Sequence, residues 1–314
     1  GSFGVNARGT FEAYGATYEQ KCPNGTFNAN GNSHCDTVPA GSFGGNPNGQ
    51  YVVTGATKAV ACPKGSFSAN ETGDCVVCVG GSYAPATGSS SCLKIPIGYR
   101  GVDASSTPAY TATRAVAVEP CPDGTFNENA DGTGNCKDVG DGKFGSTVGG
   151  TYTASGATRE MPCPNGTFSA NGTGPCKDVA AGSFASLGDL GIFVPSGATV
   201  EKKCPAGSYN ADGTGACELC PRGKFSSGAV GTGPGPANCS VCAPGTFAVK
   251  NGEISCASIP PGNYGIGGDT RGAYVVSGAV SAKPCPRGTF NANGSSHCDN
   301  IPAGSYGANG NKKY

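Results

Sequence analysis

Aromatic residues set a beat along this chain. Phe or Tyr follows a Gly-Ser or Gly-Thr pair at Phe27, Phe67, Phe126, Phe168, Tyr209 and Phe290, and follows Gly-Lys at Phe225. Around each aromatic, small polar residues alternate with apolar ones, which is the period of a half-buried strand. A second short segment downstream ends at Cys or at an aliphatic residue. The polar runs between the two segments contain Asn30-Gly31, Asp131-Gly132, Asn171-Gly172, Asp212-Gly213 and Asn293-Gly294. These dipeptides are predicted to form tight hairpin turns, whose residues adopt positive φ. Pro-x-Gly ahead of the first segment signals a turn between units. Helical periodicity is missing. The pattern predicts an all-β chain with little regular secondary structure, an elongated rod of short hairpin-like repeats without helices of note. Isolated two-stranded hairpins are marginal in water. Stacking would therefore bury the aromatic of one unit against its neighbours, as in a quasi-one-dimensional repeat protein.

Internal repetition gives the unit boundaries. The motif Cys-Pro-x-Gly-[Ser/Thr/Lys]-[Phe/Tyr] starts at Cys22, Cys62, Cys121, Cys163, Cys204, Cys220 and Cys285, with looser copies leading to Tyr83 and Phe247. Cys-bearing units span 22–35, 62–75, 78–92, 121–136, 163–176, 204–217, 220–239, 242–256 and 285–298. Cys-less units fill 1–21, 36–61, 93–120, 137–162, 177–203, 257–284 and 299–314. In the latter an aliphatic residue replaces the first cysteine at Val38, Ile95, Val139, Val179, Ile259 and Ile301. The copy at Ile95 has Tyr99 and Arg100 shifted. A second signature closes these copies: Gly15-Ala16-Thr17, Gly55-Ala56-Thr57, Gly156-Ala157-Thr158, Gly197-Ala198-Thr199 and Gly278-Ala279-Val280. About sixteen units of ~20 residues thus make one continuous array, a repeat length typical of stacked architectures.

Composition explains how so slight a unit could hold. With 55 Gly, 23 Pro, one Met and no Trp, the chain has little from which to build a large core. It has 18 Cys, a number that points to an oxidising compartment and a disulfide framework. Pairing neighbours within each unit uses them all: Cys22–Cys35, Cys62–Cys75, Cys78–Cys92, Cys121–Cys136, Cys163–Cys176, Cys204–Cys217, Cys220–Cys239, Cys242–Cys256 and Cys285–Cys298. Shifting the register by one would strand Cys22 and Cys298 and force Cys75–Cys78, Cys217–Cys220 and Cys239–Cys242 into tight loops. In-unit pairing also explains why Cys-less copies lose both cysteines together. Each closed loop is worth on the order of 3 kcal/mol in the chain-entropy model.

The Cys-bearing units resemble the ephrin-receptor-like cysteine-rich repeat. The resemblance rests on strings such as Cys217-Glu218-Leu219-Cys220-Pro221-Arg222-Gly223-Lys224-Phe225 and the run from Cys239 through Cys256. It implies an elongated ectodomain with local disulfides, a scaffolding or ligand-presenting role and no catalysis. The alternation with Cys-less copies looks more like a surface or appendage protein of an alga or protist, an analogy at fold level.

Other chemistry is weakly signalled. Zinc at the three Cys-x-x-Cys motifs would need a second ligand pair at matching spacing, which is missing. His34 and His297 sit at equivalent positions before Cys35 and Cys298 and read as hairpin-edge residues, not as partners of a reactive thiolate. Asn129 to Asn135 and Asn210 to Thr214 begin like calcium loops but lack the closing Glu. Gly231 to Gly235 reads as a loop insertion. No cofactor is expected. Lys plus Arg and Asp plus Glu are 21 each, so no net field attracts nucleic acid or anionic membrane, and no apolar run reaches the ~20 residues of a span. N-glycosylation is expected at the sequons Asn24, Asn70, Asn165, Asn171, Asn238 and Asn293. Cys239 occupies the middle of the Asn238 sequon.

The functional expectation is a non-enzymatic extracellular or cell-surface structural protein, a subunit of a glycosylated filament, appendage, wall or coat. The competing class is a receptor or adhesin ectodomain that recognises a protein or glycan. Gly1-Ser2-Phe3 opens in mid-pattern, so the chain reads as a mature fragment. Residues 304–314 start a further copy, which suggests an array that continues in a longer parent chain or by self-association.

Overall fold

The computed structural model describes residues 1–70, 72–105, 107–128, 134–228, 235–269 and 271–308. Among these, a single 3-10 turn at Gly188–Leu190 is the only helical segment, and all other regular structure is short strands. The chain forms two compact units, Gly1–Val139 with Gly145–Met161 and Gly140–Phe144 with Pro162–Tyr314. Their boundary falls on the strands Lys143–Ser146 and Arg159–Pro162.

Each unit is a succession of two kinds of antiparallel hairpin. The longer kind comes from Cys-less sequence. In the first unit it pairs Ser2–Val5 with Tyr18–Lys21, Ser42–Gly45 with Lys58–Ala61, and Tyr99–Val102 with Ala117–Pro120. The second unit has Ser183–Ser186 with Val200–Lys203 and Asn263–Ile266 with Ser281–Pro284. The shorter kind comes from Cys-bearing sequence, as in Thr26–Phe27 with Asp36–Thr37 and Thr167–Phe168 with Lys177–Asp178. Its second strand lies just past the second cysteine, so Asp36–Thr37 folds back onto the segment 22–35.

Turn chemistry starts every short hairpin. The Pro23 carbonyl accepts from the Thr26 N–H at 3.1 Å, with Gly25 at φ 79°, the conformation a type II turn requires at its third residue. The Thr26 hydroxyl donates to the same carbonyl at 2.8 Å. Ser66, Thr125, Thr167, Ser208 and Thr289 repeat that bond, which explains why Ser or Thr precedes the aromatic.

Hairpins close at the base through the Cys-or-aliphatic position. The Cys22 N–H donates to the Gly1 carbonyl, Val38 to Gly25, Cys62 to Gly41, Ile95 to Gly81 and Val139 to Gly124, all at 2.8–2.9 Å. In the second unit Cys163, Val179, Cys220 and Ile259 do the same to Gly142, Gly166, Gly207 and Gly245. These side chains are all buried, with Cys22, Cys62, Cys163 and Cys220 at 0% exposure, Val38 and Ile95 at 1%. Half-cystine and aliphatic residue therefore fill one structural position, and either contributes apolar burial there.

Successive hairpins adhere through their main chains. Asn28 donates to the Ala56 carbonyl at 3.0 Å, Gly41 to Ser68 at 2.9 Å and Gly55 to Cys22 at 2.8 Å. The equivalent bonds in the second unit are Ser169 to Ala198, Gly142 to Ser169 and Gly197 to Cys163. Gly142 illustrates how close this approach is: a Cβ built on it would overlap the Gly197 carbonyl oxygen.

Three sequence expectations need correction. First, Asn30-Gly31, Asn171-Gly172, Asp212-Gly213 and Asn293-Gly294 are not two-residue turns. Residues 28–35 separate the paired strands around Asn30, and only the Gly takes positive φ. The extra length brings Cys35 to within 5.7 Å, Cα to Cα, of Cys22. Buried Asn28 shapes this loop, its Oδ1 accepting from the Asn30 and Gly31 N–H groups while its Nδ2 donates to the Ser33 carbonyl at 2.7 Å. Asn210 and Asn291 repeat the arrangement. Asp131-Gly132 lies outside the described residues.

Second, the aromatics are not uniformly core residues. Phe43, Phe126 and Phe184 are buried, but Phe290 is 44% exposed and most others are half-buried. Stacked two-stranded hairpins enclose only a narrow interior, and disulfides, Val, Ile and Ala occupy it. The aromatic covers that interior from the side, as Phe126 does over Val139 and Ala157. Third, the shifted look of the copy at Ile95 is a change of side chains and not of register, since its ladder pairs as in its siblings. Arg100 takes the place of Phe43 in the ladder and faces Glu119 at 3.2 Å, while Tyr99 moves to the preceding position.

Candidate glycan sites and binding surface

All the cysteine sulfurs are committed. Disulfides join Cys22–Cys35, Cys62–Cys75, Cys78–Cys92, Cys121–Cys136, Cys163–Cys176, Cys204–Cys217, Cys220–Cys239, Cys242–Cys256 and Cys285–Cys298. Each links the base of one hairpin to the loop of the next. The three Cys-x-x-Cys motifs share their six sulfurs among different disulfides and leave no thiolate for a metal or a nucleophile. Among the described residues no three His, Cys, Asp or Glu side chains gather as a metal site.

The sequon asparagines Asn24, Asn70, Asn165, Asn171, Asn238 and Asn293 are all exposed. They fall at two structural positions. Asn24 and Asn165 occupy the Pro-x-Gly turn, whereas Asn70, Asn171, Asn238 and Asn293 lie in loops between paired strands. At Asn171 the Oδ1 accepts from both the N–H and the hydroxyl of Thr173, at 3.2 and 2.6 Å. Asn293 is held the same way by Ser295. These bonds engage the amide oxygen along the loop.

Asp212 takes the place of Asn171 and Asn293 in its loop. The N–H of Thr214, then its hydroxyl, hold the Asp212 carboxyl below its ordinary pKa, so the acid serves as a turn acceptor. The similar segment Asn129 to Thr133 lies outside the described residues, as does most of the Gly231 to Gly235 insertion.

His34 and His297 meet aromatics of the preceding long hairpin. The His34 ring lies 4.0 Å from Phe11, centroid to centroid, and His297 lies 5.9 Å from Tyr274 with its Nε2 3.4 Å from Asp299. Phe11 and Tyr274 belong to a set the repeat motif overlooked. Every long hairpin has a second aromatic, at Phe11, Tyr51, Tyr110, Tyr152, Phe193 and Tyr274, bridged to the end of its first strand. Its sequence signal is an aromatic four residues before the Gly of Gly-Ala-Thr or Gly-Ala-Val, with Arg114 in the Gly place after Tyr110. These rings reach neighbouring hairpins: the Tyr51 hydroxyl donates to the Thr72 carbonyl at 3.0 Å. Burial, and then a hydrogen bond with Asp123, raise the Tyr152 pKa.

Two apolar features stand out on the second unit. Tyr264, Tyr274, Pro286, Thr289, His297 and Cys298 line an open surface depression of about 180 Å³. The loop after Ser186 exposes Leu187, Leu190 and Ile192 at 43%, 73% and 64%. The matching loops 6–10, 46–50 and 147–151 are polar or carry one lone aliphatic. Comparison with known proteins finds no family model and no curated protein that matches this chain.

Proposed function

We propose that this chain is a structural element of an extracellular or cell-surface assembly, a glycosylated filament, appendage, wall or coat, and that its role is mechanical and not catalytic. One observation carries the reading. The same main-chain bonds recur at successive hairpin junctions, so hairpins can be added without redesigning the contact. Disulfides spanning each Cys-bearing junction limit how far the chain extends when a hairpin opens, a property suited to load. Disulfide bonds on this scale also fit a secreted protein. The likeness of the Cys-bearing units to ephrin-receptor-like repeats is consistent with that location.

Glycans belong to the same proposal. The exposed sequon asparagines lie in turns and loops, where attached sugars would cover the surface without entering a hairpin contact. Electron microscopy of native material, labelled with antibody to this chain, tests the reading. Labels spaced regularly along an extended structure are expected, with intact mass falling on enzymatic deglycosylation. Isolated short particles, labelled once each, would overturn it.

A further inference from the structure

We propose that the sequons form two acceptor classes, set by where the sequon hydroxyl is engaged. Asn171 and Asn293 accept an N-glycan after their hairpins have formed, whereas Asn24, Asn165 and Asn238 accept one only while theirs are open. The inference rests on the glycan reading above and adds when each site is used.

Transfer to asparagine makes one bond and breaks one. The side-chain Nδ2 attacks the anomeric carbon of an oligosaccharide pyrophosphate, the pyrophosphate leaves with the bonding pair, and an Nδ2 proton passes to a general base. A carboxamide nitrogen is a poor nucleophile. Hydrogen bonds to its Oδ1 stabilise the negative charge that develops as the proton leaves. The hydroxyl two residues on, which defines the sequon, is placed to supply one.

The loop class has that arrangement already built. Thr173 donates to Asn171 Oδ1 from its N–H at 3.2 Å and its hydroxyl at 2.6 Å. Ser295 does the same to Asn293 at 3.1 and 2.6 Å. Both asparagines are exposed, and neither Thr173 nor Ser295 belongs to a strand.

In the turn class the hydroxyl is engaged elsewhere. Thr26 and Thr167 donate it to the Pro23 and Pro164 carbonyls at 2.8 Å. Their N–H groups donate to the same carbonyls at 3.1 Å, and each threonine is fixed in a ladder, opposite Thr37 and Asp178. These hydroxyls meet Asn24 and Asn165 only when the turn opens. Asn238 is closed differently: Cys239 in the middle of its sequon is tied to Cys220, and Ser240 pairs with Phe225. Glu71, in the middle of the Asn70 sequon, lies outside the described residues.

Two added sequons test the rule apart from the natural ones. Asp212→Asn completes Asn-Gly-Thr in a loop where Thr214 already donates to residue 212 from its N–H at 2.9 Å and its hydroxyl at 2.8 Å. Arg287→Asn completes the same tripeptide in a turn, where the Thr289 hydroxyl donates to the Pro286 carbonyl at 2.8 Å. Each change copies a sibling, so both variants should keep the disulfide map. The full chain, made without glycans and with its disulfides intact, is given purified oligosaccharyltransferase and a lipid-pyrophosphate oligosaccharide, and glycopeptides are quantified over time. Asn171, Asn293 and position 212 should react in the folded chain. Asn24, Asn165, Asn238 and position 287 should react about tenfold more slowly or less, because their hydrogen bonds must open first. After reduction and alkylation, loop and turn sites should react alike. Equal rates in the folded chain, including no reaction at either class, would overturn the two classes and leave the glycan reading intact. No transfer to any sequon in either state would overturn both.

Discussion

Replacing a half-cystine by the residue its Cys-less siblings use separates covalent closure from burial. The informative variant is Cys163→Val with Cys176→Ala. Cys163 is fully buried, donates its N–H to Gly142 and accepts from Gly197, as an aliphatic residue at this position would. Valine keeps the main-chain bonds and fills the interior, so the change removes chiefly the covalent loop. The disulfide joins residues 13 apart, for which the chain-entropy model gives about 3 kcal/mol. A companion, Cys163→Ala with Cys176→Ala, removes roughly two more buried carbons, worth about 1.5 kcal/mol. Global unfolding of a repeat array is a poor readout, because cooperativity breaks down along it. Native-state hydrogen exchange reads the local opening directly. The amides of Ser169, Val179 and Gly197, each bonded at this junction, should exchange about a hundredfold faster in the Val variant at 25 °C. In the Ala variant they should exchange about tenfold faster again. Unchanged exchange in the Val variant would refute the role assigned to the disulfide, and equal exchange in the two variants would refute burial by the aliphatic position.

Two backbone predictions follow from the hairpin junctions. Gly142→Ala places a methyl against the Gly197 carbonyl at φ 73°, and should cost about 2 kcal/mol, read as lost exchange protection at Gly197. Among the described residues Arg114 is the one non-glycine at positive φ, 61°, at the place where other copies have Gly55 or Gly156; Arg114→Gly should stabilise its junction by about 1 kcal/mol, and slower exchange of the position-114 amide bonded to Cys78 is the check.

The hairpin beat and the absence of helices could be read from the sequence because their causes are local. Pro-x-Gly followed by Ser or Thr closes a turn within four residues, and Gly25 needs no distant partner to adopt positive φ. The equivalence of Cys22 and Val38 was visible for the same reason, since repetition aligns them without knowledge of the packing. Tertiary structure decided what fills the interior. Whether Phe290 or Cys22 is buried depends on how far apart stacked hairpins lie, and main-chain bonds such as Asn28 to Ala56 hold them too close for every ring to enter. The buried role of Asn28 was hidden because its partners, Gly31 and Ser33, belong to a loop whose path is set by the Cys22–Cys35 closure. Leu190 gave no periodic signal at all. Only the folded chain shows it uncovered, because exposure is a property of every neighbour's position, and local patterns along a chain do not encode that.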